Sequence, residues 1–199
     1  MKRLAVIPVL AFALAGCGSD SGNDEAASSN PSSPPSMKTV PTCMALPNAS
    51  LEAHAGAVVK DRETMYLTDV SADSAECTAK VTFDFDEGQA PGPGYEAVYE
   101  PASTAKVEDG SGNPVEIDGD AFLVVRLSPA MTARIDGDQV TKTYTGPKRL
   151  PQDPDSAVRD VVKTGDFENM VTWVIGLDEK LPFSTTTTQS QLVIEIDTE

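Results

Sequence analysis

In several stretches of the chain, apolar side chains fall on every second residue. Val81, Phe83 and Phe85 alternate with Thr82, Asp84 and Asp86, and Leu192, Ile194 and Ile196 alternate with Val193, Glu195 and Asp197. A period of two turns one side of an extended chain toward a core and the other toward water, so each run predicts a half-buried strand. Tyr95, Ala97 and Tyr99, set against Glu96 and Glu100, follow the same rule. Ala121-Phe122-Leu123-Val124-Val125 is apolar throughout, which suits a central strand completed by Arg126-Leu127. Met170 to Ile175 is strongly β-prone. Within it Trp173 is in phase with Val171 and Ile175, which assigns it to the core rather than to a sugar-stacking surface.

Turn chemistry separates these runs: Glu87-Gly88, Pro91-Gly92-Pro93-Gly94, Asp109-Gly110-Ser111-Gly112, Asp118-Gly119 and Asp136-Gly137. Short strands punctuated this often predict a mainly β fold, an antiparallel β-sandwich or a closed sheet with at most one short helix. The helix candidate is Asp155 to Lys163 with Ser156 as its cap, although Val158, Val161 and Val162 fit a strand almost equally well. No internal repeat is visible. Residues 43–199 are the right length for one domain with its own core.

The N-terminus follows a different grammar. Met1-Lys2-Arg3 precedes an apolar stretch from Leu4 to Ala15, then Gly16-Cys17. A positive start, a short apolar core and small residues before a cut site predict a secretory signal over residues 1–17. As a helix the apolar stretch would reach only about 18 Å, short of a hydrocarbon core of about 30 Å. Leu14-Ala15-Gly16-Cys17 resembles the lipobox of bacterial lipoproteins, which makes Cys17 the expected lipid attachment site and the membrane's extracytoplasmic face the expected location. The alternative is an ordinary signal peptide with a cysteine near its end. Residues 18–42, rich in Ser, Gly, Asn and Pro, are expected to be a disordered linker.

Composition narrows the partners. The chain has 31 acidic and 15 basic side chains, and losing Lys2 and Arg3 on cleavage moves the net charge from −16 to about −18. A nucleic-acid partner needs a basic footprint, so none is expected, and the polypeptide itself should not adsorb to anionic lipid. Of three cysteines, Cys17 is assigned to lipid, leaving Cys43 and Cys77 as a pair in an oxidising compartment. A structural disulfide is expected; the competing state is a free pair whose Cα atoms stand too far apart to bridge. Two thiols and the single histidine, His54, are a poor zinc set, and no metal or cofactor is expected.

Catalytic constellations are weak. Nucleophilic chemistry needs a base beside the nucleophile, yet His54 lies in the leading segment and Gly110-Ser111-Gly112 lacks the setting of a nucleophile elbow. Asp84 with Asp86, and Asp118 with Asp120, share strand-like spacing, but on so acidic a chain such pairs are usually solvated surface. Asp109 to Asn113 matches the first ligands of a calcium loop, but Pro114 stands where the sixth-position glycine belongs. No catalytic residue is assigned. Tyr95, following a Pro-Gly segment, is the candidate ligand-binding aromatic.

Residues 83–197 resemble lipoproteins of actinobacterial type that carry an AMIN-like domain. The resemblance rests on Phe83-Asp84-Phe85, Pro93-Gly94-Tyr95, Asp109-Gly110-Ser111-Gly112-Asn113-Pro114-Val115 and Gly119-Asp120-Ala121-Phe122-Leu123-Val124-Val125-Arg126-Leu127. It continues through Tyr144-Thr145-Gly146-Pro147, Gly165-Asp166-Phe167-Glu168, Trp173-Val174-Ile175-Gly176-Leu177 and Leu192-Val193-Ile194-Glu195-Ile196-Asp197. One element departs. A His-Gly-Phe-Asp-Arg-type motif before the first strong strand is replaced by Asp73-Ser74-Ala75-Glu76-Cys77-Thr78-Ala79-Lys80, with no histidine and with Lys80 in place of arginine. AMIN domains are β-sandwich modules of envelope proteins associated with peptidoglycan binding. The resemblance therefore implies a non-catalytic module that binds peptidoglycan or another cell-wall polymer, or alternatively an adaptor that docks an envelope enzyme or transporter.

Overall fold

In the computed structural model, which describes residues 43–57, 60–86 and 92–199, the alternating runs become the central strands of two stacked sheets. The signal segment, Cys17, the 18–42 linker and the Glu87-Gly88 turn lie outside the described residues. The strands in chain order are β1 (His54–Ala55), β2 (Met65–Ser74), β3 (Thr78–Phe85), β4 (Tyr95–Glu100), β5 (Ala121–Leu127) and β6 (Ala130–Met131). They continue with β7 (Ala133–Asp136), β8 (Gln139–Lys142), β9 (Val158–Phe167), β10 (Met170–Leu177), β11 (Phe183–Thr187) and β12 (Gln191–Asp197).

One sheet runs β11-β12-β3-β2-β6 and the other β1-β4-β5-β10-β9, while β7 and β8 form a separate hairpin. Pairing is antiparallel except for the two-residue β2–β6 contact, which is parallel. Phe83, Ile194 and Leu192 from the first sheet share a single apolar core with Leu123, Trp173 and Ile175 from the second. Trp173 is fully buried and meets Phe83 and Tyr144 edge-on at 6.2 and 5.7 Å between centroids. This is the mainly β, sandwich-like architecture the alternation predicts, with Trp173 in the core.

The all-apolar run behaves as a central strand should. β5 lies between β4 and β10, and its residues 121, 123, 125 and 127 enter the shared core. Phe122 and Val124 point the other way, where Ala105 and Ile117 cover them together with Val162 and Val174. The segment between β4 and β5 thus folds over the outer face of this sheet.

Of the two readings open for Asp155 to Lys163, the strand is the one formed: most of that stretch belongs to β9 and not to a helix. Val161 and Val162 pair with Ile175 and Val174, so the β-branched side chains find a strand partner on each side of their backbone preference. Ser156 does not cap a helix. Its hydroxyl accepts from the Val158 N–H at 3.1 Å, a local turn that opens the strand. The only helix among the described residues is one turn, α1 (Ala102–Ala105), which follows Pro101.

Cys43 and Cys77 form the expected disulfide, with Cα atoms 5.6 Å apart. The segment it holds lies along one margin of the sandwich and touches both sheets. Ser50 bridges Phe183 at the β11 edge, His54 pairs with Ala97 of β4, and Leu46 N–H donates to Asp197 at 3.1 Å. Cys77 sits in the β2–β3 turn, so the bridge falls within the Asp73 to Lys80 segment. Lys80 there pairs with Glu195 across the β3–β12 ladder at 2.9 Å.

Candidate functional site

Tyr95 opens β4, and two glycines let the chain crowd around it. At Gly94 a Cβ would fall 2.0 Å from the Ser128 carbonyl oxygen, so only glycine lets the start of β4 lie against Ser128, whose N–H donates to the Gly94 carbonyl at 2.9 Å. Gly56 N–H donates to the Tyr95 carbonyl at 2.9 Å, laying the leading segment beside the ring. Tyr95 is half-buried rather than free on the surface. Its hydroxyl is 2.8 Å from Thr185 Oγ1, which is 3.3 Å from His54 Nδ1, and His54 Nε2 is 3.0 Å from Ser50 Oγ.

That chain of groups contains a serine beside a histidine, so its chemistry must be weighed. A nucleophile–base pair is normally oriented by a third group on the far ring nitrogen. Here that group is the Thr185 hydroxyl, and the His54 ring packs on Phe183 at 4.6 Å between centroids. Ser50 Oγ also accepts from Glu52 N–H at 3.3 Å. The arrangement ties the leading segment to β11 and β4, fastening both sheets at one margin.

Tyr95 shares the lining of an open groove of about 320 Å³ with Arg62, Glu96, Arg126, Pro129 and Met170, although its ring packs against the core beside Thr185 while Glu96 and Arg126 pair on the other face of the sheet. Arg62 donates to the Ala57 carbonyl at 2.8 Å and to the Gly92 carbonyl, which stations its guanidinium on the wall. Arg126 pairs with Glu100 at 2.6 Å and with Glu96 at 3.5 Å. Two guanidiniums and the apolar Pro129 and Met170 suit a ligand with aliphatic faces and polar or anionic substituents. Arg126 had a usable sequence signal, being the one charged residue in the run Ala121 to Leu127. Arg62 had none, since it lies in a segment with no apolar period.

The other sequence candidates disperse. Asp84 accepts from Gln191 Nε2 at 2.7 Å, whereas Asp86 pairs with Arg134. They are separately partnered rather than a working carboxylate pair. In the Asp109 turn, Glu108 accepts from Lys148 at 2.8 Å and Ser111 at 2.9 Å, and those bonds, Lys148 first, hold its carboxyl below the usual range. Among the described residues no three His, Cys, Asp or Glu side chains gather as a metal site. Asp160 is buried against Arg149 and accepts from Asp118 N–H at 3.2 Å, fastening the segment before β5 to β9.

Tyr144-Thr145-Gly146-Pro147 is a packing motif. The buried Tyr144 hydroxyl donates to the Pro147 carbonyl at 2.7 Å, and a Cβ on Gly146 would strike that hydroxyl at 2.6 Å. Burial, and then the Asp69 charge, raise the Tyr144 pKa.

No curated protein and no solved structure matches the chain. The model of the AMIN-like domain matches residues 65–198. That span takes in every strand of the two sheets except the two-residue β1, together with the Tyr95 ring and Arg126. With two thirds of its length inside the match, this chain belongs to the AMIN-like domain family.

Proposed function

We propose that this protein is an exported lipoprotein of actinobacterial type, acylated at Cys17, whose AMIN-like domain binds peptidoglycan or another cell-wall polymer without catalysing a reaction. The observation that carries this reading is the open groove whose lining includes Tyr95, Arg62 and Arg126. Pyranose rings present apolar faces to aromatic rings, and their hydroxyl, acetamido and carboxylate groups suit guanidinium donors. The lipobox-like Leu14 to Cys17 supports the anchor.

Co-sedimentation of the full-length protein, held in mild detergent, with purified cell-wall sacculi tests the reading. The wild type should pellet with the sacculi. Tyr95→Ala should weaken binding about tenfold, the scale of losing a central aromatic contact, while Tyr95→Phe retains most of it. Mass spectrometry should find acyl groups on Cys17. An intact protein that stays in the supernatant at low and moderate salt ends the wall-binding reading.

A second reading, an adaptor that docks an envelope protein, is favoured by three exposed apolar side chains: Ile135, Val140 and Phe167 are 62%, 67% and 56% exposed.

A further inference from the structure

The β7–β8 hairpin turns its two faces to different surroundings. On one face Arg134 pairs with Asp86 and stacks over the Tyr66 ring at 4.3 Å, which seats the hairpin on β2. The register sets Ala133 opposite Lys142 and Ile135 opposite Val140 on the other face. Ala133, Val140 and Lys142 line a groove of about 580 Å³ whose further walls include Lys148, Lys163 and Asp166. The Tyr144 turn braces the groove from beneath, its ring held against Trp173 in the core.

Charge in this groove runs against the net charge of the chain. Three of the 15 basic side chains converge here on a chain of net charge −16. At physiological salt the screening length is about 8 Å, so a bound group responds mainly to these neighbours rather than to the distant acidic surface. Lys163 rests 3.2 Å from Asp166 and lies 5.6 Å from the centre of the Tyr144 ring, and Lys148 is 2.8 Å from Glu108. Lys142 has no ion-pair partner among the described residues. What remains is about one uncompensated positive charge above an apolar floor of Ala133 and Val140.

That combination selects a ligand. A polymer with a phosphate on every unit would meet Asp166 as well as the lysines, and that like-charge repulsion works against what one free ammonium returns. A chain with isolated carboxylates between short aliphatic groups matches both the charge and the floor. We propose that this groove holds the carboxylate-bearing peptide stems of the cell-wall polymer, with Lys142 pairing the carboxylate and Ala133 and Val140 contacting the aliphatic groups beside it. The proposal rests on the wall-binding reading and adds a second subsite, distinct in its residues from the Tyr95 groove.

The test measures affinity of the full-length protein, in mild detergent, for a soluble muropeptide carrying its peptide and for the same disaccharide without it. Wild type should bind the peptide-bearing form about fivefold tighter, the scale of one partly exposed ion pair with its apolar neighbours. Lys142→Glu should bind the two forms equally, and Lys148→Gln should narrow the gap. Equal affinities in wild type, or a preference that survives both substitutions, overturn the proposal. So does tighter binding of a glycerol phosphate polymer than of the peptide-bearing muropeptide. If sacculi still sediment the protein while the peptide confers no preference, the groove assignment alone fails. If neither sacculi nor either muropeptide binds, the wall-binding reading fails with it.

Discussion

In β12 the buried residues alternate with half-exposed ones along most of the strand, whereas in β10 all but the first residue are buried. The two strands face each other across one core yet carry different patterns, because their sheets have different outer faces. The sheet containing β3 and β12 presents Thr82, Val193 and Glu195 outward with partial exposure. The sheet containing β5 and β10 is roofed by α1 and by the segment through Ile117, which bury Phe122, Val124 and Val174. A strand's pattern therefore reports how many of its faces are covered, and the unbroken apolar run identifies the sheet with a second layer of packing.

Substituting the two outer faces breaks or sharpens this comparison. Val124→Asp places an unpaired carboxylate under the roof and should cost about 3–5 kcal/mol or prevent folding. Val193→Asp, on the open face between Thr82 and Thr186, should cost less than about 1 kcal/mol. Chemical denaturation followed through the fluorescence of Trp173, the single tryptophan, measures both. Equal losses would show that the two faces are equivalent after all.

The next effect concerns the margin where the sheets are fastened together. The Cys43–Cys77 bridge closes a loop of about 35 residues, and its entropic contribution is about 3–4 kcal/mol. A Cys43→Ser, Cys77→Ser double variant should lose stability on that scale. Hydrogen exchange should rise first at Ser50 and Gly56, whose backbone bonds reach β11 and β4 respectively. If exchange instead rises uniformly, the leading segment is not a separate fastening.

A smaller effect comes from Tyr99 on the same margin. Its hydroxyl donates to the Leu181 carbonyl at 2.7 Å and accepts from Leu181 N–H at 3.1 Å, joining β4 to the approach of β11. Burial pushes its pKa up to about 12 from 10.0, the bond from the Leu181 backbone opposing only in part through its N–H. The fold therefore favours the protonated phenol. Its contribution is complete below pH 10 and is lost as the pH rises from 10 to about 12. Stability measured across that window should fall, and Tyr99→Phe should flatten the fall. An unchanged slope in the variant would move the effect to another group.

Legibility followed the reach of the interactions. Alternation at Val81 to Phe85 and Leu192 to Ile196, and its absence at Ala121 to Val125, were readable because side-chain direction along a strand depends only on local geometry. The Asp155 to Lys163 stretch was undecided because its valines satisfy either period over so short a window, and pairing with β10 decided it. α1 is a single turn, below the span over which a helical period can show. Tyr95 was readable as a candidate from the turn before it, but its depth was not, since Gly56 and Thr185 meet it only after folding.

By itself the sequence determined the strands around Val81, Tyr95, Leu123, Trp173 and Ile194, which faces the alternating ones bury, that the domain is mainly β, and that Cys43 and Cys77 are the thiols expected to pair. Tertiary structure alone decided which edges meet, that β2 takes β6 as a parallel neighbour, and that Arg62, Arg126 and Tyr95 share a groove. It likewise brought Lys142, Lys148 and Lys163 together from a hairpin, a turn and a strand. The physical reason is the same in each case: periodicity is a property of neighbouring backbone geometry, whereas edge pairing and grooves arise from contacts between residues distant in the chain, whose identities no local pattern encodes.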